Sequence, residues 1–286
     1  MFGLLKKKLK TINKELISKE IRNFNEKGIA EGSNVIVSLT SFPERMNEVH
    51  YALYSLLTQT FKPEKVILWL AEEQFPNKEK DIPQEVLKLQ KNGLEIDWCE
   101  DIKSYKKLIP SLEKYPDKII ITTDDDVFYE KDLIERLVEA HKNNPNNIIC
   151  HRAHKIKLSN GKFAPYKKWK KKYNGYKPSF LNFFTGVGGV LYPVNSLYKD
   201  ITNRELFTKL APKADDIWFW AMAVLNNTKI IVPKKHITDL KYLNPKRERG
   251  LTNQTTLFSS NKNGGNDIQL ANVINQYPKI LEIIDR

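Results

Sequence analysis

The sequence predicts an α/β protein with a mostly parallel sheet flanked by helices, and two observations lead to this fold class. Short apolar runs rich in Val and Ile alternate with amphipathic helical patterns through the first half of the chain, as in the strand–helix units that build parallel sheets. The 286 residues, 41% of them hydrophobic, are enough to bury a sizeable core. We therefore expect helices on both faces of the sheet and a ligand site beyond the carboxyl ends of its strands.

The elements of this fold follow in order from the spacing of apolar residues. Strands are predicted where these residues form short runs: residues 35–39, 66–70, 94–98, 118–122 and 148–150. Helices are predicted where they recur every three or four positions: residues 46–57, 83–90, 104–112, 130–140, 215–225 and 267–277. Polar composition predicts a loop or hairpin at residues 155–178 and a loop at residues 233–263.

A basic amphipathic helix is predicted over residues 1–27. Its apolar residues recur at helical spacing and are Leu4, Leu5, Leu9, Ile12, Leu16 and Ile21. Lysines cluster near its start, so one interpretation places the leucines in a lipid interface and the lysines on anionic headgroups. The other interpretation is a helix that packs on the domain and turns a basic face to solvent.

Charge and hydropathy limit the partners and the location of the protein. The formal charge of +13 favours anionic partners such as a nucleotide, a phosphorylated glycan, nucleic acid or anionic lipid, without choosing among them. No apolar run approaches the roughly 18 residues of a membrane span, and no secretory signal is visible. The two cysteines form no disulfide framework or zinc spacing. We therefore expect a cytoplasmic protein, held by its first helix on the inner face of the cytoplasmic membrane.

Three consecutive aspartates, Asp124, Asp125 and Asp126, follow the strand predicted at residues 118–122. Carboxylates this close repel one another unless a cation lies among them, and Mg²⁺ or Mn²⁺ prefers such oxygen ligands. Asp124 and Asp126 share one side of an extended segment, so we expect Asp126 to be the principal ligand, with Asp124 assisting through a nucleotide or water. The alternative is a solvated acidic turn before the next helix.

A second acidic pair, Asp215 and Asp216, begins the helix predicted at residues 215–225. One interpretation is helix capping, with one aspartate as the N-cap and the other near the positive end of the helix dipole. The other is catalysis, because a carboxylate kept ionised can act as a general base. Capping accounts for one aspartate better than for the pair.

Several residues are candidates for binding the phosphates and the sugar of a nucleotide. Polar residues follow the first predicted strand, and two lysines precede the strand that leads to the aspartates; the candidates for the nucleotide are Thr40, Ser41, Arg45, Lys106, Lys107, Asp124 and Asp125. A glycine-rich segment suggests close approach to a sugar or to another strand; the candidates there are Asn182, Thr185, Gly186, Gly188 and Gly189. Ordinary surface lysines and plain packing are the alternatives.

Two further features have both a functional and a structural interpretation. His236 is a candidate to complete a metal site on a C-terminal loop, although a lone histidine is more often structural. Residues 166–173 interleave lysines with Tyr166, Trp169 and Tyr173, a composition that suits a single nucleic-acid strand, a sugar ring or a membrane. A solvated loop is the simpler explanation of these residues.

The motifs together resemble the GT-A fold of nucleotide-sugar glycosyltransferases. Residues 35–45 are similar to the nucleotide-binding start of that fold, and residues 55–69 to the helix-to-strand passage of glycosyltransferase family 2. Residues 123–126 match the Asp-x-Asp motif, while residues 186–189 and 214–218 resemble the later acceptor-side motifs. The same order of motifs also resembles the exostosin-like retaining transferases. The resemblance covers roughly residues 34–232, without the Gln-x-x-Arg-Trp motif of processive synthases.

The resemblance implies an activity and a division of the chain. It implies a metal-dependent transferase that moves a hexosyl or N-acetylhexosaminyl group from a nucleotide-sugar, most often a UDP-sugar, to a glycan or lipid-linked acceptor in bacterial surface polysaccharide or lipopolysaccharide synthesis. Asp215 or Asp216 would be the base of an inverting enzyme, and Trp218 would contact substrate. Residues 1–30 would then be the basic helix, residues 31–235 a GT-A domain with halves meeting at residue 130, and residues 236–286 a loop and helix that close the site.

Two rival functions come from other classes. A sugar-phosphate nucleotidyltransferase would carry a glycine-rich, arginine-containing loop after its first strand, and residues 40–45 contain no glycine; a metal-dependent nuclease is the other enzymatic rival. A non-enzymatic basic module would bind nucleic acid or membrane through residues 167–172 and the first helix, with steep salt dependence. That module leaves both acidic clusters without a role, so no nucleic-acid partner is expected.

Overall fold

The computed structural model of the chain describes residues 11–248 and 264–285. Ten α-helices lie in these ranges: α1 (Lys14–Asn23), α2 (Met46–Leu57), α3 (Gln84–Leu87), α4 (Ile109–Lys114), α5 (Leu133–Asn143), α6 (Arg204–Leu210), α7 (Asp215–Leu225), α8 (Pro245–Glu248), α9 (Asn266–Gln276) and α10 (Lys279–Ile284). The same ranges contain thirteen strands: β1 (Val35–Thr40), β2 (Lys65–Ala71), β3 (Leu94–Cys99), β4 (Ile119–Thr122), β5 (Val127–Phe128), β6 (Ile148–Cys150), β7 (Ala153–Lys155), β8 (Leu158–Ser159), β9 (Lys162–Phe163), β10 (Asn182–Phe184), β11 (Val190–Tyr192), β12 (Ile230–Ile231) and β13 (Lys241–Tyr242).

Seven of these strands form a central sheet in the order β12-β6-β11-β4-β1-β2-β3. β11 runs antiparallel to both of its neighbours, and the other strand pairs of the sheet are parallel. In the register of β1 with β4, Val35 lies beside Ile119 and Ser38 beside Thr122. The sheet is therefore mostly parallel and Rossmann-like, which confirms the α/β fold class predicted from the sequence.

Helices cover both faces of the sheet because its strands are apolar on both sides. Along β1, Ile36 belongs to the core shared with α7, α9 and α10, whereas Val35 and Val37 belong to the core shared with α2 and α5. Successive side chains of a strand point to opposite faces, so the continuous apolar run that predicts β1 also requires two cores. The carboxyl ends of β1, β4 and β6 meet at one edge of the resulting three-layer fold.

The structure differs from the predicted elements in a few places. The helix predicted at residues 104–112 is divided into a 3₁₀ turn (Lys103–Lys107) and α4, because Pro110 lacks an N–H and is tolerated only in the first turn of a helix. The helix predicted at residues 83–90 is a short α3 followed by another 3₁₀ turn (Lys88–Asn92). The predictions omit α6 and α10, which are short and contribute apolar residues to the core beside α7.

The described part of the first helix packs on the domain. Residues 1–10 lie outside the described residues, and so do Leu4, Leu5 and Leu9 of the predicted membrane-facing stripe. In α1, Ile17 and Ile21 pack near Tyr51 of α2, whose hydroxyl lies 2.9 Å from the Ser18 hydroxyl. Residues 249–263 of the predicted C-terminal loop are also outside the described residues. Within the described ranges, the helices are too short or too polar to span a bilayer.

Candidate functional site

A cavity of about 1520 Å³ lies where the predicted ligand site was expected, beyond the carboxyl ends of β1, β4 and β6. The segments that follow these three strands contribute Ser41, Asp124 and Arg152 to its lining. The start of α7 and residues 236–242 line it as well. Parallel strands bring their carboxyl ends to one edge of the sheet, so residues far apart in sequence meet in this cavity.

Arg45 neutralises two of the three consecutive aspartates. Its Nη1 donates to Asp126 Oδ2 at 2.9 Å and also pairs with the Asp125 carboxylate. Ser41 Oγ donates to Asp125 Oδ2 at 2.6 Å. Asp125 and Asp126 are both buried, where unpaired carboxylates would be costly. The expected cation among these aspartates is supplied here by a side chain, and Ser41 and Arg45 lie beside the triplet.

Lys107 links the two acidic clusters. Its Nζ lies 3.1 Å from Asp124 Oδ1 and 2.9 Å from Asp215 Oδ2, and its side chain is almost completely buried. Burial by itself lowers the pKa of Lys107, but the carboxylates of Asp124, Asp215 and Asp216 outweigh burial and raise that pKa well above its ordinary value. The lysine is therefore a fixed cation between the aspartates. The sequence predicts it only as a phosphate ligand.

Asp216 is held at the entrance of α7 by the backbone of the glycine-rich turn. The Gly186 N–H donates to its two carboxylate oxygens at 3.1 and 3.3 Å. Burial and the nearby charge of Asp215 raise the pKa of Asp216 to about 7, while Lys107 opposes the rise. Neither aspartate caps the helix, because Ala214 is the N-cap and makes no side-chain capping bond. The N-cap part of the capping interpretation is therefore wrong, whereas both aspartates do lie in the first turn of α7, near the positive end of its dipole.

The glycine-rich turn lets these groups approach one another. A Cβ on Gly186 would lie 2.6 Å from Lys107 Nζ and 3.2 Å from Asp216 Oδ1, and a Cβ on Gly188 would lie 2.7 Å from the Cβ of Arg152. Gly189 has a φ of +86°, which glycine adopts without strain. None of these three glycines lines the cavity, so the prediction that they contact substrate is corrected: Gly186 and Gly188 make space for charged residues, and Gly189 lies against Leu133.

The remaining predicted binding residues separate into two groups. Thr185 lines the cavity, and its buried hydroxyl has no hydrogen-bond partner among the described residues. Asn182 lies away from the cavity, where its amide donates to Ile230 O at 2.8 Å and Lys177 O at 3.0 Å. Trp218 is fully buried and donates to Ile201 O at 3.0 Å. The predicted substrate contacts of Asn182 and Trp218 are therefore corrected to structural roles.

Two residues predicted to contact the nucleotide are also engaged elsewhere. Thr40 Oγ1 donates to the backbone oxygen of Trp69 at 2.8 Å, although Thr40 borders the cavity. Lys106 is buried, and its Nζ lies 2.7 Å from Asp101 Oδ1. This ion pair holds the lysine at the rim of the cavity, so Lys106 differs from its neighbour Lys107 in having no contact with the two acidic clusters.

Binding a divalent cation in this cavity would need coordinating oxygen atoms besides those of the described side chains. Asp124 and Asp126 both line it and offer the hard oxygen atoms that Mg²⁺ and Mn²⁺ prefer. Within residues 11–248 and 264–285, no three metal-binding side chains lie close enough to hold an ion, so the other ligands would be phosphate oxygens or water. His236 lines the cavity, and its Nδ1 lies 3.1 Å from Pro233 O. That contact leaves Nε2 as the nitrogen able to bind a metal.

The sequence analysis did not identify Tyr129, which forms hydrogen bonds to the turn that carries Asp124, Asp125 and Asp126. Its buried hydroxyl accepts from the Asp124 N–H at 2.8 Å and lies 3.3 Å from Val187 O. Behind the turn, β13 pairs with β5, and the Leu243 N–H donates to Asp126 O at 2.8 Å. The turn is therefore fixed by the glycine-rich segment and by the C-terminal segment. An aromatic residue three positions after the triplet was the only signal in the sequence.

Residues 166–173 contribute to the cavity, but less uniformly than their composition suggests. Tyr166, Lys171 and Tyr173 line it. Trp169 is buried and donates to Ala164 O at 2.8 Å. This tryptophan is therefore part of the core and cannot stack on a base or a sugar.

One family model and several solved structures are similar to this chain. Residues 112–207 match the model of glycosyl transferase family 2; this segment contains the aspartate triplet and the glycine-rich turn and ends before Asp215. No curated protein matches the chain in sequence. The structure is similar to the mannosyltransferase PcManGT from Pyrobaculum calidifontis, solved with GDP-Man and Mn²⁺, at 13% identity over 95% of this chain and 80% of that one, with a TM-score of 0.48.

Other solved structures give similar values. S. aureus TarS 1–349 in complex with UDP-GlcNAc is 15% identical over 72% of this chain and 56% of that one, with a TM-score of 0.46. A cytidylyltransferase from Leptospira borgpetersenii is 12% identical over 88% and 96%, with a TM-score of 0.44. At these scores, the structural similarity does not indicate a particular activity. The chain is therefore similar to glycosyl transferase family 2 over residues 112–207, about a third of its length, and the family resemblance predicted from the sequence is confirmed there.

Proposed function

We propose that the protein is a glycosyltransferase that moves a sugar from a nucleotide-sugar to a hydroxyl group of an acceptor. The observation that carries this proposal is the position of Lys107, which joins Asp124 of the family-matched segment to Asp215 at the start of α7 in one cavity. Transfer needs a group that stabilises a leaving diphosphate and a group that deprotonates an acceptor. The two acidic clusters supply candidates for both roles within reach of one substrate.

The donor half of the site would lie between the ends of β1 and β4. A UDP-sugar is the donor we propose, with its diphosphate near the aspartate triplet, Arg45 and Ser41. Asp126 and Asp124 would hold Mn²⁺ or Mg²⁺ together with diphosphate oxygens, and His236 is a further candidate ligand. When bound, such an ion supplies Lewis-acid stabilisation of the leaving diphosphate. Arg45 already neutralises carboxylates there, so it is suited to exchange its carboxylate partners for phosphate oxygens.

The base of this reaction would be Asp216, and the outcome would be inversion. The pKa of Asp216 is raised towards neutrality by burial and by Asp215, whereas Asp215 is neutralised by Lys107 at 2.9 Å. The acceptor oxygen would form a bond to the anomeric carbon as the bond from that carbon to the diphosphate oxygen breaks. The electron pair of the broken bond would leave with the diphosphate, and the acceptor proton would pass to Asp216.

The acceptor we propose is a bacterial surface glycan or a lipid-linked precursor, modified at the cytoplasmic face of the membrane. The cavity is large enough for a donor and several acceptor units, since ordinary ligand sites are about 300–1,000 Å³ and this one is about 1520 Å³. Residues 236–242 and 264–267 contribute to its wall, which supports a closing role for the C-terminal part. The exposed Leu16 of α1 is compatible with a membrane contact of that helix.

The experiment that tests this function measures turnover of a panel of UDP-, GDP- and dTDP-sugars by the full-length protein, with and without Mn²⁺. We expect metal-dependent release of one nucleoside diphosphate and, with a suitable acceptor, a product of inverted anomeric configuration by NMR. Pyrophosphate release from CTP or UTP and a sugar phosphate would instead identify a nucleotidyltransferase. Metal-dependent cutting of DNA or RNA would identify a nuclease.

A further inference from the structure

Arg152 is a cation in the cavity with no anionic partner among the residues that the structure describes. It follows β6, lines the cavity and is partly buried. Its Nε is buried and has no hydrogen-bond partner, and no carboxylate of residues 11–248 or 264–285 forms an ion pair with it. Gly188 is pressed against its Cβ, so the glycine-rich turn makes room for this side chain. A partly buried guanidinium without a counter-ion is costly unless a ligand supplies one.

Lys171 adds a second positive charge to the same part of the cavity. Its Nζ lies 3.1 Å from the centre of the Tyr166 ring, and both residues line the cavity. Burial and the charge of Arg152 lower the pKa of Lys171 to about 8, against an opposing effect of Asp267. The two cations therefore repel each other, and neither is neutralised by an ion pair within the described residues. An anion bound between them would relieve this repulsion.

The other polar groups nearby do not supply this anion. His154 is buried, and burial lowers its pKa to about 3, so it is neutral and adds no charge. Asp267 is occupied in accepting a hydrogen bond from the Tyr166 N–H at 2.6 Å. Asp216, the proposed base, is held by the Gly186 N–H. The unbalanced charge thus lies in the lining of the cavity to which Asp216 also contributes.

Arg152 and Lys171 form a positive patch that is separate from the proposed donor site. In the sheet, β6 is two strands away from β4, with β11 between them, which corresponds to about 10 Å at the usual strand spacing. The diphosphate side already has Arg45 and Lys107 as cations. Arg152 and Lys171 line the same cavity as Asp216, so an acceptor that presents a hydroxyl to that carboxylate could also contact them.

We infer that Arg152 and Lys171 bind an oxyanion, a phosphate or a carboxylate, carried by the acceptor close to the hydroxyl that receives the sugar. This inference rests on the proposed function and specifies its acceptor as an anionic glycan. A guanidinium fork matches the paired oxygens of either group, and the lysine adds a point charge. A neutral acceptor of the same shape would leave both cations without a partner, so the site would select against it.

The test titrates the full-length protein with glucose 6-phosphate, glucuronate and glucose at constant ionic strength and pH 7, followed by calorimetry. We expect the two anionic sugars to bind and glucose to bind at least about tenfold more weakly, a difference of about 1.4 kcal/mol. Arg152→Gln and Lys171→Gln should each weaken binding of the preferred anionic sugar by about tenfold or more. Lys168→Gln removes the same charge from an exposed lysine that does not line the cavity and should leave binding unchanged.

The comparison of glucose 6-phosphate with glucuronate shows whether the site prefers a phosphate or a carboxylate. Competition with UDP shows whether the anion binds outside the diphosphate site. Equal binding of glucose and its 6-phosphate, or equal losses in Arg152→Gln and Lys168→Gln, would overturn the inference. Displacement of glucose 6-phosphate by UDP would also overturn it, because the anion site would then be the diphosphate site. Lys171 is exposed, so its variant should fold even where Arg152→Gln does not. If the anionic sugars do not bind as expected but metal-dependent turnover of the donor is observed, this inference is wrong and the proposed function stands.

Discussion

The ammonium group of Lys107 lies 2.9 Å from the Asp215 carboxylate and, on its other side, 3.1 Å from that of Asp124. A buried cation therefore connects the end of β4 with the start of α7. The acidic triplet and the acidic pair share one electrostatic environment, so a charge placed at one affects the protonation of the other.

Replacing the two aspartates of α7 should separate their roles. Asp216→Asn removes the group with the raised pKa and should lower the single-turnover transfer rate by about 10²- to 10⁴-fold, the usual range for a general base. Asp215→Asn should cost less, because Lys107 already neutralises Asp215. UDP affinity, measured by calorimetry, should change little in Asp216→Asn. The assignment of the base fails if Asp215→Asn is inactive while Asp216→Asn retains the wild-type rate.

The rate of transfer should fall at low pH. A base must be deprotonated to accept a proton, so kcat/KM should decrease about tenfold per pH unit below the pKa of Asp216 in the free enzyme. Burial and Asp215 raise that pKa to about 7. A divalent cation near Asp124 would oppose this rise, so increasing Mn²⁺ should move the acid limb to lower pH. An acid limb that does not depend on Mn²⁺ would contradict the proposed proximity of metal and base.

Removing the connecting cation should damage both stability and catalysis. Lys107→Gln leaves buried carboxylates without their partner, and breaking a buried ion pair typically costs about 3–5 kcal/mol. Because Lys107 lowers the pKa of Asp216, its loss should also move the acid limb of kcat/KM to higher pH. Urea unfolding and the pH profile measure the two effects.

Lys106→Gln is the matched control for this change. Lys106 is the neighbouring buried lysine, but its partner is Asp101 at 2.7 Å rather than either acidic cluster. We expect it to lower the free energy of unfolding while leaving the acid limb in place. If both lysine variants moved the acid limb equally, the connection through Lys107 would have no special role.

A methyl group on the glycine-rich turn should disturb the base directly. The Cβ of Gly186→Ala would lie 2.6 Å from Lys107 Nζ and 3.2 Å from Asp216 Oδ1, so the lysine or the carboxylate must move. We expect transfer to fall by more than about tenfold, since small displacements in an active site are costly. Gly175→Ala is the control: its Cβ would contact the Asn182 amide 2.6 Å away, outside the cavity. It should lower the melting temperature without changing the pH profile, and the opposite pattern would contradict this account.

Much of the fold could be predicted because its signals are local. Helices α2 and α7 begin and end at the predicted residues, since each is a long segment with apolar residues at helical spacing. The apolar run of β4 also predicts that the following aspartates lie at the ligand-binding edge of the sheet. Short helices such as α10 were missed, because their six residues carry too little periodicity and are stabilised by packing on α7.

The details of the site depended on tertiary contacts that one sequence does not reveal. Nothing in the residues around Lys107 distinguishes it from Lys106, yet only Lys107 reaches the acidic clusters. Asn182 and Trp218 were predicted to contact substrate because they lie next to the right motifs. Their side chains instead satisfy backbone oxygens in the core. No motif in the sequence singles out Arg152, because its role depends on which strand it follows.

The most direct test of the central claim is a crystal structure of the full-length protein with UDP and Mn²⁺. The proposed function predicts an anomalous manganese peak beside Asp126, bridged to the diphosphate. It also predicts that the Asp216 carboxylate faces the space left for the sugar and the acceptor hydroxyl. A nucleotide or ion bound elsewhere, with the ion pairs of Arg45 and Lys107 to the aspartates unchanged, would contradict the claim that the two acidic clusters form one nucleotide-sugar site.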